Sequence, residues 1–163
     1  MGENRIQKAK MQKIWRNYID MPPVWLLFYM GLAWGQSVLW NPFSYASPVA
    51  TMIGRTLILA GLVLMSLAAF LFWHHRTTVV PKRIPDSIIT VGPYRYSRNP
   101  IYVADALVLT GFAISLGSVL ALFLVPLFMW TIRKRFIEGE EARIRAEFGQ
   151  AYEAYCARTR RWL

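Results

Sequence analysis

Two runs without a single charged residue, Val24–Trp40 and Thr56–Trp73, constrain this chain more than any other feature. They hold 17 and 18 residues. At the helical rise these reach roughly 26–27 Å, close to a bilayer hydrocarbon core of about 30 Å. Both read as transmembrane helices. A third apolar block, Ile101–Ile132, would extend about 48 Å as one helix, too long for a single span. Ser115-Leu116-Gly117-Ser118 near its middle supplies a turn, so the block reads as a helical hairpin. The expected fold is an all-α membrane protein of four transmembrane helices. The competing arrangement, one long tilted helix, puts the C-terminus on the other side.

Charge placement separates the two arrangements. The net charge is +10 although 55% of the residues are hydrophobic. With four spans, eighteen of the 19 Lys and Arg residues fall on one face, Arg55 being the exception. The positive-inside rule then places both termini in the cytoplasm, at the inner membrane in a bacterium. Orientation and contact with anionic lipid account for nearly every cation, which removes nucleic acid as the meaning of the charge. Met11, Ile14, Trp15, Tyr18 and Ile19 fall at i, i+3, i+4, i+7, i+8 among basic residues, the pattern of an N-terminal interfacial helix. The first apolar run lacks an evident cleavage site, and Ile6 stands where a myristoylation motif requires Ser or Thr. Gly31-x3-Gly35 could pack a helix neighbour without specifying a dimer.

Little chain remains outside the spans: about 23 residues at the front, a connector over 74–100 and a tail of about 30. No independent nucleotide-binding domain fits, and no G-x-G-x-x-G or P-loop is present. His74 and His75 would diverge by about 100° on a helix and no ligand set completes them, so no metal site is expected. No Ser or Cys has an evident histidine partner, and Cys156 is a lone thiol.

Chemistry must therefore be assembled from the connector, the tail and the cytoplasmic ends of the spans. Pro81, Pro85, Gly92 and Pro93 make the connector an extended ribbon. Asn99-Pro100 then reads as a helix start, Asn99 as N-cap and Pro100 in the first turn. Its free N–H groups, with Arg98 beside them and Tyr102 one turn on, make either an anion site or a lipid-phosphate contact inside an aromatic belt. If 133–157 is helical, Ile137, Ile144, Phe148, Tyr152 and Tyr155 line one face. Glu140 and Glu141 fall within that stripe and Arg133 lies on the same side. Carboxylates on an apolar face need a cation, whether Arg95, Arg98 or Arg133 as a clasp or a cationic ligand. Gly149 weakens or kinks this helix. Asp105, about one turn inside the third span, is a functional candidate by its depth, or else the partner of a connector arginine.

V-G-P-Y-R-Y-S-R-N-P-I-Y, followed about 40 residues later by E-E-x6-F-G-x2-Y-x2-Y, resembles the isoprenylcysteine carboxyl methyltransferase and phospholipid methyltransferase superfamily of integral membrane enzymes. The resemblance runs from about Thr77 to the C-terminus. It implies transfer of a methyl group from S-adenosylmethionine (SAM), bound between the connector and a C-terminal cytoplasmic helix, to a lipophilic or amphiphilic acceptor entering from the bilayer. The residues it implies at the cofactor are Asp86, Ser87, Ile88, Ile89, Tyr94, Arg98, Asn99, Pro100, Ile101, Tyr102 and the pair Glu140 and Glu141, of which Glu140 matches best. The arginine that holds a prenylcysteine carboxylate in the family aligns on Phe136. Arg133 and Arg135 are its candidate replacements, and Asp105 is a further acceptor-side candidate. An NADPH-dependent membrane reductase of the sterol-reductase type and a non-catalytic membrane scaffold are the rival readings.

Overall fold

The computed structural model describes residues 20–74 and 88–163. The interfacial helix expected around Met11–Ile19, and the connector positions Asp86 and Ser87, lie outside the described residues. Those described form helices joined by turns, with two isolated β-bridges and no strand. The helices are α1 (Pro22–Leu39), α2 (Pro48–His74), α3 (Pro100–Ser115), α4 (Val119–Leu122), α5 (Leu124–Ile132), α6 (Glu138–Phe148) and α7 (Gln150–Arg158). A 3-10 turn (Gly92–Arg95) precedes α3, and a π-helical turn (Arg133–Ile137) joins α5 to α6.

The 27-residue α2 is long and apolar enough to cross a membrane. It starts eight residues before the uncharged run because Ser47 accepts a hydrogen bond from the Ala50 N–H and Pro48 is suited to the first turn. Its outward face leaves Met52, Leu59, Leu62, Val63, Leu67 and Phe70 exposed. So large an apolar surface is the mark of a lipid or partner contact. The opposite face carries Gly54, Gly61 and Ala68 at seven-residue spacing, all buried. These small residues let α2 lie against α3. A Cβ at Gly61 would come within 2.8 Å of the Ala104 carbonyl oxygen, and one at Gly111 within 2.9 Å of the Ile58 nitrogen. Gly31 and Gly35 serve no such purpose within the chain: nothing among the described residues lies within 4 Å of a Cβ at either.

The 101–132 block reverses at Leu116-Gly117, as the turn residues imply. Gly117 has φ 62, and the Tyr45 carbonyl occupies the place a Cβ would take. The Tyr45 N–H donates to the Gly117 carbonyl at 2.9 Å, and Ser118 Oγ meets Gln36 Oε1 at 2.8 Å. The second arm is broken between α4 and α5. Pro126 has no N–H for the Leu122 carbonyl, so the first short helix stops there. Leu26 and Tyr29 of α1, Ala106 and Leu109 of α3, and Phe128 and Ile132 of α5 share one core. Within it the Tyr29 hydroxyl and Thr131 Oγ1 are 2.8 Å apart.

The tail departs from the expected 133–157 helix at a π turn, and it breaks at Gly149, where a weak point or kink was expected. In the π turn the Glu138 N–H reaches back five residues to the Arg133 carbonyl. The extra residue rotates the preceding chain, so Arg133 is exposed while Phe136 and Ile137 are buried. Arg133 and Ile137 therefore do not share a face. At Gly149, φ 47 and ψ −121 end α6 and restart the chain as α7, a conformation that only glycine adopts without strain. Tyr152 and Tyr155 are still buried beyond this break.

Candidate active site

The C-terminus and the connector are laced together. Tyr94 is buried against Ala68 and Ile89, its ring edge-on to Phe72 at 5.5 Å. The Tyr155 hydroxyl donates to the Tyr94 carbonyl at 2.6 Å. Burial pushes the Tyr155 phenol up to about 12, so it remains a neutral donor at physiological pH. Residues beyond α7 then run beside the connector. The Arg98 N–H donates to the Arg160 carbonyl at 2.9 Å, and Asn99 Nδ2 and Ser97 Oγ both donate to the Arg161 carbonyl. Tyr155→Phe should cost about 1–3 kcal/mol by leaving the buried Tyr94 carbonyl unsatisfied, measurable by thermal unfolding in detergent.

The adjacent glutamates have different surroundings. Glu141 is 5% exposed and sits between two arginines. Arg161 meets it through two hydrogen bonds, of 3.0 and 2.6 Å, and Arg98 Nη2 lies 3.3 Å away. Arg98 also contacts the Cys156 sulfur. Glu140, half-buried, has no cation within ion-pair distance among the described residues. Its Oε1 accepts a 2.9 Å hydrogen bond from the Tyr102 hydroxyl. Burial pushes its carboxyl above the ordinary range, with Tyr102 and Arg143 pulling the other way.

Asn99 occupies the N-cap position of α3, but its side chain makes no cap there and is spent on the Arg161 carbonyl. Among the described residues no side chain accepts from the N–H groups of the first turn of α3. Pro100 is fully buried and Ile101 packs with Ile89 and Tyr94, so both position the turn. Ile88 is half-buried just before Ile89. Tyr102 is 7% exposed, its ring 6.5 Å from that of Phe136.

Asp105 is 3% exposed, one turn deeper than Tyr102, and makes no hydrogen bond or ion pair with the described residues. The expected alternative, pairing with a connector arginine, is not seen at Arg95 or Arg98. Arg133 and Arg135 are turned away from this group. Arg133 pairs with Glu138 at 3.0 Å. Arg135 pairs with Asp20 at 3.1 Å and lies over the Trp25 ring at 4.7 Å. The residue that follows them, Phe136, is buried. Two charged members of the cluster, Arg161 and Arg143, escape sequence reading because each resembles an orienting cation. Arg161 is twenty residues from the carboxylate it holds, beyond any helical periodicity.

The phospholipid methyltransferase family model matches residues 49–151. The chain belongs to that family. The matched residues include both the Tyr94–Tyr102 stretch and the Glu140–Glu141 pair, while Arg161 lies beyond them. The protein-S-isoprenylcysteine O-methyltransferase of Schizosaccharomyces pombe (strain 972 / ATCC 24843) is 35% identical over 78 residues, 47% of this chain. The matched region is 33% of that relative's length. No solved structure matches with significance. Membership of the phospholipid methyltransferase family and the apolar α2 both support association with a membrane.

Proposed function

We propose that the chain transfers a methyl group from SAM to a lipophilic or amphiphilic acceptor that enters from the bilayer. The observation carrying this reading is Glu140: a half-buried carboxylate without an ion-paired cation among the described residues, held by Tyr102 beside the uncapped start of α3. A ligand with an ammonium group satisfies that carboxylate, and the α3 dipole favours a nearby anion. When bound, SAM supplies an electrophilic methyl on a sulfonium. The protein's contribution is alignment and exclusion of water, without a nucleophile or metal of its own. Arg98 and Glu141 act by fastening the tail over the connector, and Tyr94, Asn99, Pro100 and Ile101 by shaping it. Ile88 and Ile89, with Asp86 and Ser87, complete the cofactor side.

On the acceptor side the buried, unpaired Asp105 is positioned to receive a proton from an N–H or O–H nucleophile. Phe136 at the position of the family's carboxylate-binding arginine favours an acceptor without a carboxylate. Arg133 and Arg135, engaged by Glu138 and Asp20, are left out of this role. The membrane arrangement proposed is four spans: α1, α2 and the two arms of the hairpin, with both termini cytoplasmic.

Calorimetry in detergent with S-adenosylhomocysteine (SAH) and with NADPH tests the proposal. Glu140→Gln should weaken SAH about tenfold or more, the magnitude of a lost charge-assisted hydrogen bond. Lowering the pH through the raised Glu140 pKa should weaken SAH in wild type but not in the glutamine variant. Tight NADPH binding without SAH binding would establish the reductase reading instead. A scaffold would show neither ligand.

A further inference from the structure

Four charged side chains of α6 are at least partly buried: Glu138, Glu140, Glu141 and Arg143. Glu138 and Glu141 each hold two cations. Glu140 and Arg143 form no ion pair with the described residues. They stand three residues apart on one helix, the spacing at which Glu and Arg ordinarily close on each other. Arg143 instead has a buried Nε without a hydrogen-bond partner. Its Nη1 lies 3.4 Å from where a Cβ on Gly139 would sit, so the guanidinium folds back along the helix over a residue with no side chain. The Tyr102 hydroxyl holds Glu140 on its other side. Arg143 nonetheless lies within electrostatic reach of the Glu140 carboxylate. A carboxylate pushed up by burial and a guanidinium whose buried Nε has no partner, adjacent but unjoined, have an unmet demand for partners of both signs.

We propose that Glu140 and Arg143 form a two-sided clamp for an α-amino acid group, Glu140 taking the ammonium and Arg143 the carboxylate. The inference rests on the reading of SAM as cofactor and assigns its amino-acid end to one turn of α6. An amino acid carries its two charges on one carbon, so neighbouring partners of opposite sign match it. Arg also offers a carboxylate two parallel donors, which a helix start alone does not arrange. The uncapped turn of α3 reinforces the same positive field.

The test compares SAH with its decarboxylated analogue by calorimetry on the full chain in detergent. Wild type should bind SAH about tenfold or more tightly than the analogue. Arg143→Ala should remove that preference, weakening SAH and leaving the analogue unchanged. Glu140→Gln should weaken both. If the alanine variant does not fold, Arg143→Gln keeps the size without the charge and gives the same reading. Equal weakening of both ligands by the arginine variant, or no weakening of SAH, would overturn the clamp. Wild type that fails to bind either ligand would instead overturn the cofactor reading on which the clamp rests.

Discussion

Glu141→Ala should unfasten the C-terminal segment from the connector and cost the protein about 3–5 kcal/mol, toward the lower end. The carboxylate is 6% exposed and its arginines 13% and 30%, so Arg98 would be left as an almost buried charge, while Arg161 can recover part of its hydration. Deletion leaves two like charges facing a space they were drawn into. Hydrogen bonds to uncharged acceptors then hold the segment, among them the Arg98 N–H on the Arg160 carbonyl, Asn99 Nδ2 and Ser97 Oγ on the Arg161 carbonyl, and the Tyr155 hydroxyl on the Tyr94 carbonyl. The expected results are a lower unfolding midpoint in detergent, faster proteolysis near the C-terminus and weakened SAH binding. An unchanged midpoint would refute the clasp. Glu140→Gln should do the opposite to stability. Its folded pKa is raised, so its contribution is fully present below the unfolded pKa and lost as pH rises through the folded one. A neutral glutamine does not incur that loss, so the apo variant should be the more stable protein above this window. One substitution removes a structural ion pair and the other the proposed ligand contact, although the residues are adjacent.

That division between neighbours marks the limit of sequence reading. Hydropathy marked where α1 and α2 lie, and among the described residues α2 is the helix long and apolar enough to cross a membrane. Gly117 and Gly149 reported the reversal and the tail break because their backbone conformations require glycine. Tyr102 and Glu140 were each legible as candidates because the two motif blocks contain them, and their 2.9 Å hydrogen bond was not foreseen. The turn that separates Arg133 from Ile137 was not legible, since a π turn leaves no periodic trace. The partners of Glu141 were hidden for another reason. Sequence reading assigned Arg161 to membrane orientation, and only folding brings residues 159–161 along the connector. The seam between α2 and α3 was missed in the same way. Gly31-x3-Gly35 has the familiar spacing but meets nothing among the described residues, whereas Gly54, Gly61 and Gly111 are distributed over two helices.

Gly111→Leu should therefore disrupt the fold more than any substitution at the recognisable glycine motif. Even its Cβ would run into the Gly54 carbonyl and come within 2.9 Å of both Ile58 Cγ1 and the Ile58 nitrogen. Two of those three obstacles are backbone, which cannot rotate aside. α2 must move away from α3, at or beyond the upper end of the about 1–3 kcal/mol typical of overpacking. The consequence reaches the site through the same two helices. Ala68 of α2 supports Ile89 and Tyr94, and α3 begins at the turn that carries Tyr102. Separation at Gly111 shifts the two walls of the proposed cofactor site relative to each other, so SAH affinity should fall even where folded protein is recovered. Gly31→Ala is the control: its Cβ meets nothing within 4 Å, so stability and SAH affinity should stay at wild-type levels. If Gly111→Leu unfolds at the wild-type midpoint and binds SAH normally, the close contact between α2 and α3 does not set the geometry of the site.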